Sequence, residues 1–78
     1  MEEKILEILK DLQPDFDFEE DVDFTTEGYL DSLDIITLIS ELEETFSVII
    51  SALETIPENF NSVKSISRLV EKSSKKEL

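Results

Sequence analysis

No cysteine and no histidine occur in this chain of 78 residues, so neither disulfide bonds nor the common soft metal ligands can stabilise its fold. A chain this short buries only about 60% of its unfolded surface, which leaves it marginally stable. Packing of apolar faces must therefore hold it together, and 40% hydrophobic residues with one Gly and two Pro favour helices. We expect one all-α domain over residues 1–72 and a charged, frayed tail over residues 73–78.

Three segments have the apolar spacing of amphipathic helices. The first covers Glu2 to Leu12, the second runs from the N-cap Asp31 to Phe46, and the third begins at the cap Ser62. A short helix is expected after Ser51, in the irregular segment between the second and third of these.

A long first loop separates the first two helices, from Pro14 to Asp31. Its apolar residues alternate, which is also typical of a strand: Phe16, Phe18, Val22 and Phe24. A single strand would find no partner in this chain, so we expect an ordered loop whose aromatic rings fill gaps in the helical core. Gly28 is expected to permit a tight turn before the next helix.

The second helix has two apolar faces. At about 100° per residue, one arc holds its core residues: Ile35, Leu38, Ile39, Leu42 and Phe46. Leu33 and Ile36 point away from that arc, on the side of Glu43 and Glu44. Either the loop or the short helix covers them, or they form a docking strip in which apolar contact sets position and charge sets orientation and association rate.

The net charge is −13, and it is unevenly distributed. Fifteen of the twenty acidic residues lie between Asp11 and Val63, a stretch without Lys or Arg. Such a surface repels nucleic acid and anionic lipid and attracts basic protein patches. We therefore expect protein partners with basic docking surfaces and no nucleic-acid partner; acidity that serves only solubility is the alternative.

No apolar run approaches the roughly 20 residues of a membrane span. The residues Met1 to Lys4 lack the basic start and apolar middle of a signal peptide. We expect a cytoplasmic monomer.

The run Gly28-Tyr-Leu-Asp-Ser-Leu-Asp-Ile35 resembles the acyl carrier protein family, whose members carry Asp-Ser-Leu at the start of the second of four helices. The chain length, helix order, acidity and the continuation from Leu38 to Phe46 extend the resemblance over about residues 2–71. It implies a four-helix acyl-carrier-like bundle with a long first loop and a short third helix.

The resemblance also implies roles for individual residues. A phosphopantetheinyl transferase would attach 4'-phosphopantetheine covalently to Ser32, at a helix N-terminus that favours a phosphoryl group. Asp31 and Leu33 match the residues that flank the attachment site. Four further residues match positions that partner enzymes contact: Asp34, Ile36, Glu43 and Glu44.

A chain without His or Cys has no Ser-His or Cys-His nucleophilic pair, so we expect a carrier and not an enzyme, without a metal site of its own. The cargo would be an acyl or aminoacyl group held as a thioester, loaded by a ligase or synthase and passed to a downstream acyltransferase.

Three departures from the family pattern leave the pathway open. They are the Tyr29-Leu30 step before Asp-Ser-Leu, Ser40 at an outward position often occupied by Met, and the absence of an Ile-Pro step after Phe46. The first is more similar to D-alanyl, aminoacyl and peptidyl carriers, so lipid, cell-wall and secondary-metabolite biosynthesis all stay possible.

Other classes of protein explain less of the sequence. A calcium-binding EF-hand loop starting at Asp15 would need Gly and Glu where Glu20 and Thr26 stand. A small acidic helical adaptor without a prosthetic group fits the charge and the helices but assigns no role to Ser32. The irregular Phe-rich loop argues against an idealised designed bundle.

Overall fold

The computed structural model describes residues 1–19 and 21–74, which form three α-helices and two short 3₁₀ helices. The α-helices are α1 (Glu2–Leu12), α2 (Ser32–Phe46) and α3 (Val63–Ser74). The 3₁₀ helices, Ala52–Glu54 and Pro57–Asn59, lie between α2 and α3. No strand occurs in these described residues, so the all-α prediction is confirmed. The four-helix count is not confirmed, because two single turns occupy the place of the expected short third helix.

Proline explains why this segment forms two turns. Ser51 caps the first turn by accepting the N–H of Leu53 at 3.2 Å. Ile56 is extended, as expected for a residue that precedes a proline, and Pro57 opens the second turn at its first position. An α-helix through both turns would need Ile56 to be helical.

The core lies where α1 packs against both α2 and α3. Each helix contributes the apolar face that its periodicity predicted, with Leu38 and Leu42 completely buried in α2. Residues outside the helices complete the core: Phe18, Phe24, Leu30, Val48, Ile50 and Phe60.

The residues between α1 and α2 reach the core through aromatic rings. Phe18 and Phe24 are buried and meet edge to face, with ring centroids 5.0 Å apart. Tyr29 stacks on Phe16 with centroids 4.5 Å apart. The N–H of Phe24 donates to the carbonyl of Asn61 at 3.0 Å, so this loop is also fixed to the turn that precedes α3.

The end of α3 overlaps the expected tail. Ser73 and Ser74 belong to α3, and Ser73 is buried. Residues 75–78 lie outside the described residues, so the boundary at residue 72 stays a prediction. Among the described residues, no helix has the length and hydropathy that crossing a membrane requires.

Candidate functional site: an exposed serine at the start of α2

A closed turn fixes the chain immediately before α2. Gly28 has a φ of +80°, a conformation that residues with a Cβ rarely adopt. The turn brings the N–H groups of Tyr29 and Leu30 to the carbonyl of Phe24, at 2.8 and 3.1 Å. Leu30 is buried, so the chain enters α2 from an anchored position.

A capping box then starts the helix. The side chain of Asp31 accepts the N–H of Asp34 at 2.9 Å, and Oδ2 of Asp34 accepts the N–H of Asp31 at 3.2 Å. Two of the N–H groups that a helix start leaves unpaired are thereby satisfied. The same Oδ2 accepts the side-chain amide of Gln13 at 2.9 Å, which connects the end of α1 to the first turn of α2.

Ser32 is the first residue of α2, and it is exposed. Its hydroxyl makes no hydrogen bond with any residue that the structure describes. The nearby carboxylates of Asp31 and Asp34 bond to backbone N–H groups in the capping box. The positive end of the helix dipole and the remaining free N–H groups of the first turn favour an anion there. Ser32 can therefore present its oxygen to another protein, at a helix terminus that stabilises negative charge.

The predicted docking residues divide into two kinds. Leu33 and Ile36 are 74% and 59% exposed, and Glu44 is exposed without a hydrogen bond or ion pair to any described residue. Asp34 and Glu43 are half-buried, and their carboxylates accept hydrogen bonds from the protein itself. The structure thus presents an apolar and acidic outer face on α2, but two of its carboxylates also stabilise the fold.

Three features of this region are not among the sequence predictions. Gln13 directly follows the predicted first helix, and nothing in the sequence links it to Asp34, 21 positions away. The reciprocal bonds of Asp31 and Asp34 had a usable signal, since an acceptor three residues after an N-cap is the pattern of a capping box. No periodic pattern in the sequence predicts that Ile49 and Leu53 are 84% and 87% exposed.

A cleft lies away from the serine. It has a volume of about 440 Å³ and separates the segment after α2 from the end of α3, with Val48, Ile49 and Lys72 among its lining residues. The 15 residues of α2 span about 22 Å, so this cleft is at the opposite end of the helix from Ser32. Within the described residues no acidic cluster is arranged to hold a metal ion.

A family model described as phosphopantetheine attachment site matches residues 3–70, which include the capping box and Ser32. No curated protein and no solved structure matches the chain.

Proposed function

Since the chain belongs to the family of phosphopantetheine attachment-site domains, which are non-catalytic carriers of covalent 4'-phosphopantetheine, we propose that Ser32 is the attachment residue. The observation that carries this assignment is the exposed, unbonded hydroxyl of Ser32 at the start of α2, within the matched residues. Asp31 and Leu33 flank it, one capping the helix and the other exposed to solvent.

The chain contributes a nucleophile and a place for negative charge. The oxygen of Ser32 forms the bond to phosphorus, its proton leaves to a base of the transferase, and the adenosine bisphosphate part of coenzyme A departs. The first turn of α2 stabilises the resulting phosphodiester through its dipole and its N–H groups. When bound, the arm supplies the thiol that holds an acyl or aminoacyl group as a thioester. Loading and transfer are performed by partner enzymes.

Domains of this family work with a phosphopantetheinyl transferase and with synthases or ligases. We propose that these partners dock on the outer face of α2, where Leu33 and Ile36 supply apolar contact and Glu44 supplies charge. Asp34 and Glu43, the other two predicted docking carboxylates, border this face. The absence of Lys and Arg between residues 11 and 63 supports partners with basic surfaces.

The assignment of Ser32 predicts the outcome of a mass measurement. Incubation of the protein with coenzyme A and a promiscuous phosphopantetheinyl transferase should add the mass of one phosphopantetheine group. Ser32→Ala should abolish the addition, because it removes the hydroxyl to which the arm is attached at the start of α2.

Thr45→Ala is the matched control, since Thr45 also carries a hydroxyl and is exposed on α2 but lies near the other end of the helix. It should gain the same mass as the parent protein. If Ser32→Ala also gained the mass of phosphopantetheine, the attachment residue would be another serine. If the parent protein gained no mass, the proposed function would be refuted.

A further inference from the structure

Glu43 accepts hydrogen bonds from backbone N–H groups of the segment that follows α2. Its carbonyl oxygen accepts the N–H of Ser47 and, at 3.3 Å, the N–H of Val48. Its side-chain Oε2 accepts the N–H of Ile50 at 2.9 Å. One residue therefore fixes the first part of the segment that follows the helix.

The segment needs such an anchor because its backbone is locally unfavourable. Ser47 has a φ of 55°, in the left-handed region that residues with a Cβ rarely adopt. Val48 and Ile50 are buried on either side of Ile49, which is 84% exposed. Ile49 thus points to solvent between two buried neighbours, and the bond from Ile50 to the carboxylate of Glu43 holds the backbone at one of them.

Ile49 lies three residues after the end of α2, whose outer face ends at Glu43. Ile36, Ser40 and Glu43 lie at i, i+4 and i+7, so they form one row along the helix surface. Glu43, the last residue of this row, accepts the N–H of Ile50 through its side chain. The row thus runs from the exposed Ile36 to a carboxylate that is bonded to the residue next to the exposed Ile49.

Glu44, the next residue, provides the contrast. It is exposed and makes no hydrogen bond or ion pair within the described part of the chain. Its charge is available to a partner, whereas the carboxylate of Glu43 is half-buried and has an internal donor. Two adjacent glutamates therefore have different environments.

We propose that Glu43 is a positioning residue, which holds the segment from Ser47 to Ile50 so that Ile49 extends the docking surface of α2 toward a basic partner enzyme. The occupant is a protein with an apolar patch and a positive rim, because the stretch from residue 11 to residue 63 offers it only acidic charge. This inference rests on the proposed function, since the partner is the enzyme that modifies or loads the carrier.

Two substitutions separate the hydrogen bond from the charge. Glu43→Gln removes the charge but keeps an oxygen at the same distance along the side chain, which can still accept the N–H of Ile50. Glu43→Asp keeps the charge but shortens the side chain by one methylene group, which loses the bond. Glu44→Gln and Glu44→Asp are the matched controls for charge and for the intrinsic helix preference of aspartate.

The first readout is hydrogen exchange at the amide of Ile50 in the unmodified protein. We expect exchange about tenfold faster in Glu43→Asp and within about threefold of the parent rate in Glu43→Gln, as for loss or retention of one hydrogen bond. Both Glu44 variants should match the parent. Unchanged exchange in Glu43→Asp would overturn the inference and leave the assignment of Ser32 intact.

The second readout is kcat/KM for modification by the transferase over a range of salt concentrations. Glu43→Asp should lose about fivefold at every salt concentration, and Glu43→Gln should recover most of that loss. Glu44→Gln should lose rate mainly at low salt, because screening already weakens an exposed charge at high salt. If Glu43→Gln lost rate as Glu44→Gln does, with Glu43→Asp unaffected, Glu43 would be a docking charge and not a positioning residue. If the parent protein gained no mass in the transferase assay, the proposed function would be refuted. Hydrogen exchange would still show whether the side chain of Glu43 bonds to the N–H of Ile50.

Discussion

At the scale of single residues, the carboxylate of Asp23 stabilises the loop that leads to the site. One oxygen, Oδ1, accepts the N–H groups of Thr25 and Thr26, each at 3.0 Å, and the hydroxyl of Thr25 at 2.7 Å. The backbone N–H of Thr26, followed by the hydroxyl of Thr25, holds the pKa of Asp23 below its ordinary value. The turn so formed contains Phe24, whose carbonyl fixes the entry to α2.

The lowered pKa predicts a pH dependence with a definite sign. A carboxyl group whose pKa is lower in the folded state favours folding above its unfolded pKa, and this contribution is lost as pH falls through the folded pKa. An NMR titration should therefore find the Asp23 carboxyl titrating below the ordinary aspartate range. In Thr25→Ala, which lacks the hydroxyl donor, the pKa should rise toward the ordinary value. A titration of Asp23 at the ordinary value in the parent protein would contradict the hydrogen-bonded turn.

Single residues also show what a sequence can and cannot predict. Helical periodicity alone predicts that Leu33 and Ile36 point away from the core arc, and in the structure both are exposed. The internal partners of Asp34 and Glu43 do not follow from it, because they depend on where the fold brings residues 21 and 7 positions away. Local spacing determines which way a side chain points, and tertiary packing determines what it contacts.

At the scale of elements, α2 combines a core face with an interaction face. The sequence predicts the span of α2 well, because the N-cap Asp31 marks its start and the apolar arc continues to Phe46 at its end. The segment between α2 and α3 is predicted less well. Ser51 signals a helix start, yet Pro57 divides the segment and each turn is too short to carry a periodic pattern.

The two faces of α2 predict different costs for similar substitutions. Leu42→Ala should lower the free energy of unfolding by about 2–5 kcal/mol, because Leu42 is completely buried and its loss leaves a cavity. Ile36→Ala should cost about 0.5 kcal/mol or less, as expected of an exposed side chain. Urea denaturation of both variants measures the difference. Equal losses would mean that Ile36 is packed and unavailable to a partner.

At the scale of the whole molecule, a charge of −13 on 78 residues opposes the compact state. The described residues contain only two ion pairs, Lys10 with Glu19 at 3.6 Å and Lys72 with Glu54 at 3.0 Å, so most of the acidic side chains among them have no cation from the described part of the chain beside them. Such self-repulsion reduces stability, while the same field attracts a basic partner. Folding and docking therefore depend on one electrostatic potential in opposite ways.

Added salt should consequently stabilise the fold and slow the docking. The Debye length falls from about 30 Å at 0.01 M to about 10 Å at 0.1 M, which screens repulsion across much of this small domain. We expect the Tm to rise with NaCl, and a gain of about 1 kcal/mol would appear as about 4–8 °C. Over the same range, kcat/KM for the transferase should fall, because steering by the acidic face is screened. KCl at equal ionic strength serves as the control, since screening does not depend on the identity of the cation. If the Tm stayed constant while kcat/KM fell, self-repulsion would not limit stability, and the acidity of this chain would serve recognition alone.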